Sequence, residues 1–234
     1  MCFYNIYSVI KMKKIADFQI VDMIPFSGGV IFSKKEAVGE DKCRVSFYGF
    51  DMKNYRNAPV TRSVYLLNKF GNGYKRITDA IGDYLNCDAD TFHHNGTVLV
   101  YPTGETGLFD FEGKSLWAGD LLYHGYPVQD VAADGNQIWC TVPDQNAIIS
   151  YSIAHKKFYM RIGGENSTAF SLPTAIQKYG NELFVCNAGS YKIRTVNLKD
   201  FSVRDFRTFD EPVRRYIRSC GKEIVQLDSG IYIL

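Results

Sequence analysis

The sequence lacks several features that mark particular classes of protein. It has no uninterrupted apolar run of about 18 residues, the length that a helix needs to span a membrane. Its 27 lysines and arginines nearly balance 25 aspartates and glutamates, so charge gives no argument for nucleic acid or an anionic membrane. P-loops, nucleophile elbows and dinucleotide-binding glycine motifs are also absent. We therefore expect a protein with no membrane span, no nucleic-acid partner and no recognisable catalytic motif.

The sequence also lacks paired cysteines. Six cysteines are present, but a zinc knuckle needs pairs at short spacing such as C-x-x-C. Cys140 and Cys186 lie within apolar strand patterns, where a free thiol packs as a small hydrophobic group. These features predict reduced, mostly buried cysteines in a cytoplasmic protein, with disulfides as the alternative for an exported one. No signal peptide is predicted, because the lysines follow the apolar residues 1–10. A second methionine at position 12 leaves both Met1 and Met12 open as translation starts.

A repeated pattern is present instead, in a chain whose 15% aromatic content favours strands. Each copy has a short extended stretch, a tight turn containing glycine, and then an apolar strand; the clearest copies also begin with proline. The first apolar residue after the turn serves as the anchor of each copy. A weaker copy has its anchor at Val30, and the other four have theirs at Val98, Ile138, Leu183 and Ile224. The last three follow at intervals of 40, 45 and 41 residues. Intervals of this length are typical of the four-stranded blade of a β-propeller.

The segments between these anchors predict an all-β chain. Short apolar runs such as 147–153 and 192–198 are separated by turn residues at hairpin distances. No stretch has the sustained apolar spacing of a helix. We predict one β-propeller domain over residues 1–234, with five blades and the last one closed by an N-terminal strand at 3–10. The 68-residue interval before Val98 indicates an insertion or degenerate region around 55–83, and six blades are the alternative.

Two of the repeats carry a family resemblance. The strings Asp134-Gly-Asn-Gln-Ile-Trp-Cys140 and Gly180-Asn-Glu-Leu-Phe-Val-Cys-Asn187 each follow a proline. They resemble the repeats of NHL-type propellers and of the related virginiamycin B lyase-like group. The likeness is strongest over residues 127–199. It implies a propeller but no particular activity, since this superfamily contains lyases, lactonases and pure interaction domains.

Carboxylates recur at one position of the repeat. Counting eight residues back from three of the anchors gives Asp22, Asp90 and Asp130. This position begins the innermost strand, which lines the axial channel, so the three side chains are candidate ligands of a divalent cation. In the alternative interpretation they bond backbone amides or pair with Arg214 and Arg215.

Repeats without a complete catalytic constellation favour a non-enzymatic scaffold that binds a protein, a glycan or a small molecule at the rim of the channel. The alternative is a metal-assisted lyase or hydrolase at the channel mouth, for which His124 is the candidate acid or base. The candidate binding residues lie on loops near the channel: Tyr126, Gln129, Asp144, Asn146, Asn187, Arg214, Arg215 and Asp228.

Overall fold

The computed structural model describes residues 12–17, 20, 22–26, 29–37, 43–54, 56–59, 93–94, 98–100, 105–109 and 115–234. These residues form strand β1 (Lys13–Ala16) and then a succession of antiparallel sheets, numbered here in chain order. Sheet 1 contains β2 (Asp22–Phe26), β3 (Gly29–Ala37), β4 (Cys43–Asp51) and β5 (Arg56–Pro59). Sheet 2 contains β6 (His93–His94), β7 (Val98–Val100), β8 (Glu105–Phe109) and β9 (Ser115–Asp120).

A small hairpin separates these sheets from the next three. The hairpin consists of β10 (Leu122–Tyr123) and β11 (Tyr126–Pro127). Sheet 3 contains β12 (Asp130–Asp134), β13 (Gln137–Val142), β14 (Ala147–Ser152) and β15 (Lys157–Gly163). Sheet 4 contains β16 (Pro173–Tyr179), β17 (Glu182–Asn187), β18 (Lys192–Asn197) and β19 (Val203–Thr208). Sheet 5 contains β20 (Val213–Ser219), β21 (Lys222–Leu227), β22 (Gly230–Ile233) and β1. Short 3₁₀ turns at Pro143–Gln145 and Ala188–Ser190 join second to third strands.

The inner strands of sheets 3 to 5 are buried on both faces because each of these sheets packs between two neighbours. In β13, Ile138 and Cys140 point into a cluster with Leu121 and Val128, whereas Trp139 points to the other side. Trp139 packs there with Ile176 of sheet 4. Alternate side chains of one strand therefore enter different cores, and the hydrophobic core is divided into clusters between sheets.

The sheets follow one another around a ring. Strand β12 lies beside β7 of sheet 2 and β16 of sheet 4, and β16 lies beside β20 of sheet 5. Strand β20 lies beside β2, which in turn lies beside β6. This arrangement of four-stranded sheets around their first strands is that of a propeller, as the sequence predicts. The choice of five blades over six stays a prediction, because most of the interval between sheets 1 and 2 lies outside the described residues.

The last sheet is completed by the N-terminal part of the chain. Lys13 pairs with Ile233, and Ala16 pairs with Ile231, so β1 is the outer strand of sheet 5. The Ser219 hydroxyl of this sheet donates to the carbonyl of Gly29 in sheet 1 at 2.6 Å. Closure by an N-terminal strand is therefore confirmed, although residues 13–16 form it. The predicted strand at 3–10 lies outside the described residues.

The predicted insertion around 55–83 is only partly visible. Its residues Arg56–Pro59 form β5 and pair with β4, so they belong to sheet 1. The remaining residues of that segment lie outside the described residues. The single-domain organisation stays a prediction.

Candidate functional site

Two kinds of loop lie at the same end of sheets 3 to 5: the turns between second and third strands, and the connections between sheets. Adjacent strands are antiparallel, so the turn between the second and third strands lies at the same end as the connection between sheets. We call this end the connection face. It comprises the turns 143–146, 188–191 and 228–229 and the connections 121–129, 164–172 and 209–212.

Hydrogen bonds join the loops of the connection face to each other. The amide of Gly164 donates to the carbonyl of Asn146 at 3.0 Å, and the amide of Ala188 donates to the carbonyl of Leu172 at 3.0 Å. The 164–172 connection is therefore held against the turns of both sheet 3 and sheet 4. These three loops form a continuous surface.

All eight candidate binding residues predicted from the sequence lie on or beside this face. Tyr126 and Asp144 are exposed, the former on the β10–β11 hairpin and the latter on a turn. Gln129 is half-buried, and its backbone amide donates to the backbone carbonyl of Thr141 at 3.0 Å. Arg215 is buried in β20.

Two predicted binding residues, Asn146 and Asn187, hold the 164–172 connection in place. The side-chain oxygen of Asn146 accepts a hydrogen bond from the amide of Leu172 at 2.8 Å. The side-chain oxygen of Asn187 accepts one from the amide of Ser171 at 3.3 Å. Asn187 is fully buried, and its side-chain nitrogen has no hydrogen-bond partner. Both asparagines thus serve the fold of the surface loops.

Arg214 and Asp228 form an ion pair at the edge of the face. The Nε atom of Arg214 lies 2.7 Å from one carboxylate oxygen of Asp228, and a terminal guanidinium nitrogen lies 3.3 Å from the other. This bidentate geometry fixes both side chains and cancels their charges locally. The sequence placed both residues in the site but did not predict their pairing.

Asp130 links sheets 3 and 4. Its side chain is 2% exposed at the start of β12. One carboxylate oxygen accepts from the amide of Val131 at 2.9 Å, and the other accepts from the amide of Ile176 in sheet 4 at 2.9 Å. The backbone amide of Asp130 donates to the hydroxyl of Thr141 at 3.0 Å. This arrangement matches the alternative in which the carboxylate bonds backbone amides.

The other candidate metal ligands do not form a described site. Asp22 begins β2, and Asp90 lies outside the described residues. Within the part of the chain that the structure describes, no group of three histidine, cysteine, aspartate or glutamate side chains is placed to hold a metal ion. The cation site stays a prediction.

His124 lies at the tip of the β10–β11 hairpin. Together with Gly125 it forms a two-residue turn, in which both residues have positive φ angles of 52° and 85°. Its side chain is exposed, and its ring stands edge-on to that of Tyr123 at a centroid distance of 4.3 Å. This position gives the imidazole access to solvent and to any partner of the face.

Exposed apolar side chains other than that of Tyr126 are the main feature of the face that the sequence did not reveal. Leu122 is 45% exposed, while Tyr126, Leu172 and Tyr191 are each 42% exposed. Leu172 and Tyr191 also have left-handed backbones, with φ angles of 49° and 59°. A signal was available at position 191, which follows its 3₁₀ turn as Asn146 does in the preceding repeat. Asparagine tolerates that conformation, whereas tyrosine rarely adopts it.

Arg194 is a second feature that sequence reasoning missed. One of its terminal nitrogens lies 2.6 Å from the carbonyl oxygens of both Thr168 and Ala169. The arginine thus supports the middle of the 164–172 connection from β18. Nothing in the local sequence pattern indicates this contact, because the partners lie about 25 residues apart.

Comparison with known proteins gives the fold and not a family. No known family profile matches the chain, and no curated protein matches it in sequence. The structure is similar to one in a nidogen/laminin complex, with a TM-score of 0.50 and 9% identity over 90% of this chain and 73% of that one. This likeness supports the fold class. The chain is a β-propeller.

Two further solved structures are similar at lower scores. A streptogramin B lyase has a TM-score of 0.45 and 11% identity, over 92% of this chain and 63% of that one. Sqt1 from Saccharomyces cerevisiae has a TM-score of 0.46 and 8% identity, over 89% of this chain and 69% of that one. Among the described residues, no helix has the length and apolar character needed to cross a membrane.

Proposed function

We propose that this propeller is a non-enzymatic scaffold that binds a protein partner on its connection face. The observation that carries the proposal is the group of large apolar side chains that the loops leave exposed: Leu122, Tyr126, Leu172 and Tyr191. Tyrosine is enriched at the centres of protein interfaces, where its ring is desolvated and its hydroxyl finds a partner.

The backbone at two of these residues supports the proposal. A left-handed conformation costs a residue with a side chain about 1–2 kcal/mol. Leu172 and Tyr191 both adopt it, and both are 42% exposed. Strained residues cluster at functional sites. Because Lys156, Phe201 and Cys220 also have positive φ angles at the opposite end of the sheets, this observation is secondary to the exposure of the side chains.

A photo-crosslinking experiment tests the proposal. The photoreactive amino acid p-benzoylphenylalanine replaces Tyr126 in one protein and Tyr159 in another. Tyr159 is the matched control, because it is 52% exposed on the outer strand β15 and outside the connection face. In the cells that produce the protein, we expect a discrete protein adduct from position 126 and none from position 159.

A second substitution makes the test specific to the surface. Leu172→Ser in the protein labelled at position 126 should reduce the yield of the adduct, because it removes another exposed apolar side chain of the face and leaves the crosslinker itself unchanged. Equal adduct yields from positions 126 and 159, or a yield that Leu172→Ser leaves unchanged, would contradict the proposal.

The enzymatic alternative requires a different use of Asp130. A metal-assisted lyase or hydrolase at the channel would need its carboxylate oxygens for a cation, yet both accept hydrogen bonds from backbone amides. This observation supports the scaffold. Melting after chelation and after return of a divalent ion separates the two hypotheses.

A further inference from the structure

We infer that the partner of the connection face is a polypeptide segment rich in lysine and arginine, with apolar residues among the basic ones. The inference rests on the proposed function, since it names the chemistry of the partner for the same surface. It is carried by the distribution of charge over the two ends of the described sheets.

The loops of the connection face contain carboxylates and no lysine or arginine. This holds for every residue of the six segments that define the face. Their only other ionisable groups are tyrosine hydroxyls and the imidazole of His124. The carboxylates are those of Asp144, Glu165, Asp210, Glu211 and Asp228.

The basic side chains that approach the face from the strands have partners already. Arg214 pairs with Asp228, and Arg194 is bonded to two loop carbonyls. The Nε atom of Arg161 donates to the carbonyl of Gly163 at 3.1 Å. A hydrogen bond to a carbonyl leaves the charge of an arginine in place. After the Arg214–Asp228 pair and the charges of Arg161 and Arg194 are subtracted, the loops retain an excess of two carboxylates. The face therefore presents a negative potential to its surroundings.

The opposite end of sheets 3 to 5 has a different composition. Its turns, at 135–136, 153–156, 180–181, 198–202 and 220–221, contain two lysines and one aspartate. The whole chain has a formal charge of +2. Negative charge on the connection face is thus a local property of that end and does not follow from the overall composition.

Exposed apolar groups among carboxylates favour a basic polypeptide over other cationic ligands. A metal ion would use neither Tyr126 nor Leu172, and no described cluster of carboxylates converges on one point. A polypeptide supplies both parts at once, because its apolar side chains cover the exposed rings and its basic side chains pair with the surrounding carboxylates.

Fluorescence anisotropy with three synthetic peptides tests this inference on the purified full chain. The peptides have leucine and tyrosine at the same positions, and the remaining positions are lysine and arginine, serine and glutamine, or aspartate and glutamate. We expect the basic peptide to bind at least about tenfold more tightly than the other two. Its affinity should fall when sodium chloride rises from about 50 to about 500 mM, because salt screens exposed charges.

Charge-neutralising variants locate the effect. The triple variant Asp144→Asn, Glu165→Gln, Asp210→Asn removes three exposed carboxylates of the face and should weaken binding of the basic peptide about tenfold. The control variant Glu182→Gln changes an exposed carboxylate next to the turn 180–181 at the opposite end, and should leave the affinity unchanged. All four substitutions are at exposed positions, so melting temperatures should match that of the unmodified protein.

The outcomes separate this inference from the proposed function. Equal binding of the three peptides, or an affinity for the basic peptide that the triple variant does not change, overturns the inference. If the crosslinked adduct from position 126 still forms in that case, the scaffold stands and its partner has another chemistry. If the adduct is also absent, both proposals fail.

Discussion

The substitution Asp130→Asn tests whether this carboxylate is a structural link between sheets 3 and 4. Asparagine keeps one oxygen acceptor, so either the amide of Val131 or that of Ile176 would face an NH₂ group instead of an oxygen. An unpaired buried donor costs about 1–3 kcal/mol, and the remaining hydrogen bond loses the contribution of the charge. We expect the free energy of unfolding to fall by about 2–4 kcal/mol.

Urea denaturation followed by tryptophan fluorescence measures this change. The chain has two tryptophans, and Trp139 is buried between sheets 3 and 4, at the interface that Asp130 bridges. The dependence of the unfolding free energy on urea should stay the same, because the variant exposes the same surface when it unfolds. The control is Asp144→Asn on the exposed turn, which should change stability by no more than about 0.5 kcal/mol.

Two results would refute this reasoning. An Asp130→Asn protein within about 0.5 kcal/mol of the unmodified protein would show that the bonds to Val131 and Ile176 contribute little. An unmodified protein that falls to the stability of the variant after chelation would instead make Asp130 a metal ligand.

Three further predictions follow from the same contacts. Adding Ca²⁺, Mg²⁺, Mn²⁺ or Zn²⁺ after chelation should leave the melting temperature unchanged. A specifically bound ion, present at a concentration of about 100 times its dissociation constant, would instead raise the free energy of unfolding by about 2.7 kcal/mol and the melting temperature by several degrees. Alkylation of the native protein, mapped by mass spectrometry, should modify the exposed Cys220 before Cys140 and Cys186, because burial raises the pKa of the latter two thiols; equal rates would contradict their burial. The hydrogen bond from Lys192 lowers the pKa of Asp205 below its usual value, so the stabilisation by Asp205 should be present above about pH 4 and lost as pH falls through the lower folded value. Urea unfolding of Asp205→Asn and the unmodified protein at pH 6 and near pH 2.5 checks this, and a difference that stays constant would count against it.

The sequence predicted the parts of the fold that depend on local chemistry. Gly135 and Gly180 each lie in a two-residue turn and have a φ angle of 59°, a conformation that glycine adopts without steric cost. The alternation in Ile138–Trp139–Cys140 matches burial on two faces of one strand. The repeat interval then follows, because each blade is one supersecondary unit of nearly fixed length.

Contacts between sheets could not be predicted from the sequence pattern. The partner of the Asp130 carboxylate is the amide of Ile176, which is 46 residues further along the chain. A backbone amide carries no side-chain signal, so no residue type at position 176 indicates this bond. The position of the eight candidate binding residues at one end of the sheets, by contrast, was predictable, because the repeat register alone determines the end at which each loop lies.

The exposed side chains on the connection face were harder to predict. Aromatic residues in a propeller are expected in the core between blades, and Tyr126 was the only one of the exposed group proposed for the rim. Leu172 and Tyr191 are exposed and have left-handed backbones, and sequence composition does not specify that geometry.

The pairing of β1 with β22 has a consequence for synthesis of the chain. Lys13 and its partner Ile233 are 220 residues apart in the chain. A ribosome adds about 5–20 residues per second, so the first strand waits about 10–45 s for the last one to be made. During that time a growing chain can fold sheets 1 to 4. Strand β1, however, has no sheet to join until β20, β21 and β22 have been made. Encoding residues 12–17 after residue 234 in a rearranged gene would remove the wait and let the ring close from one end.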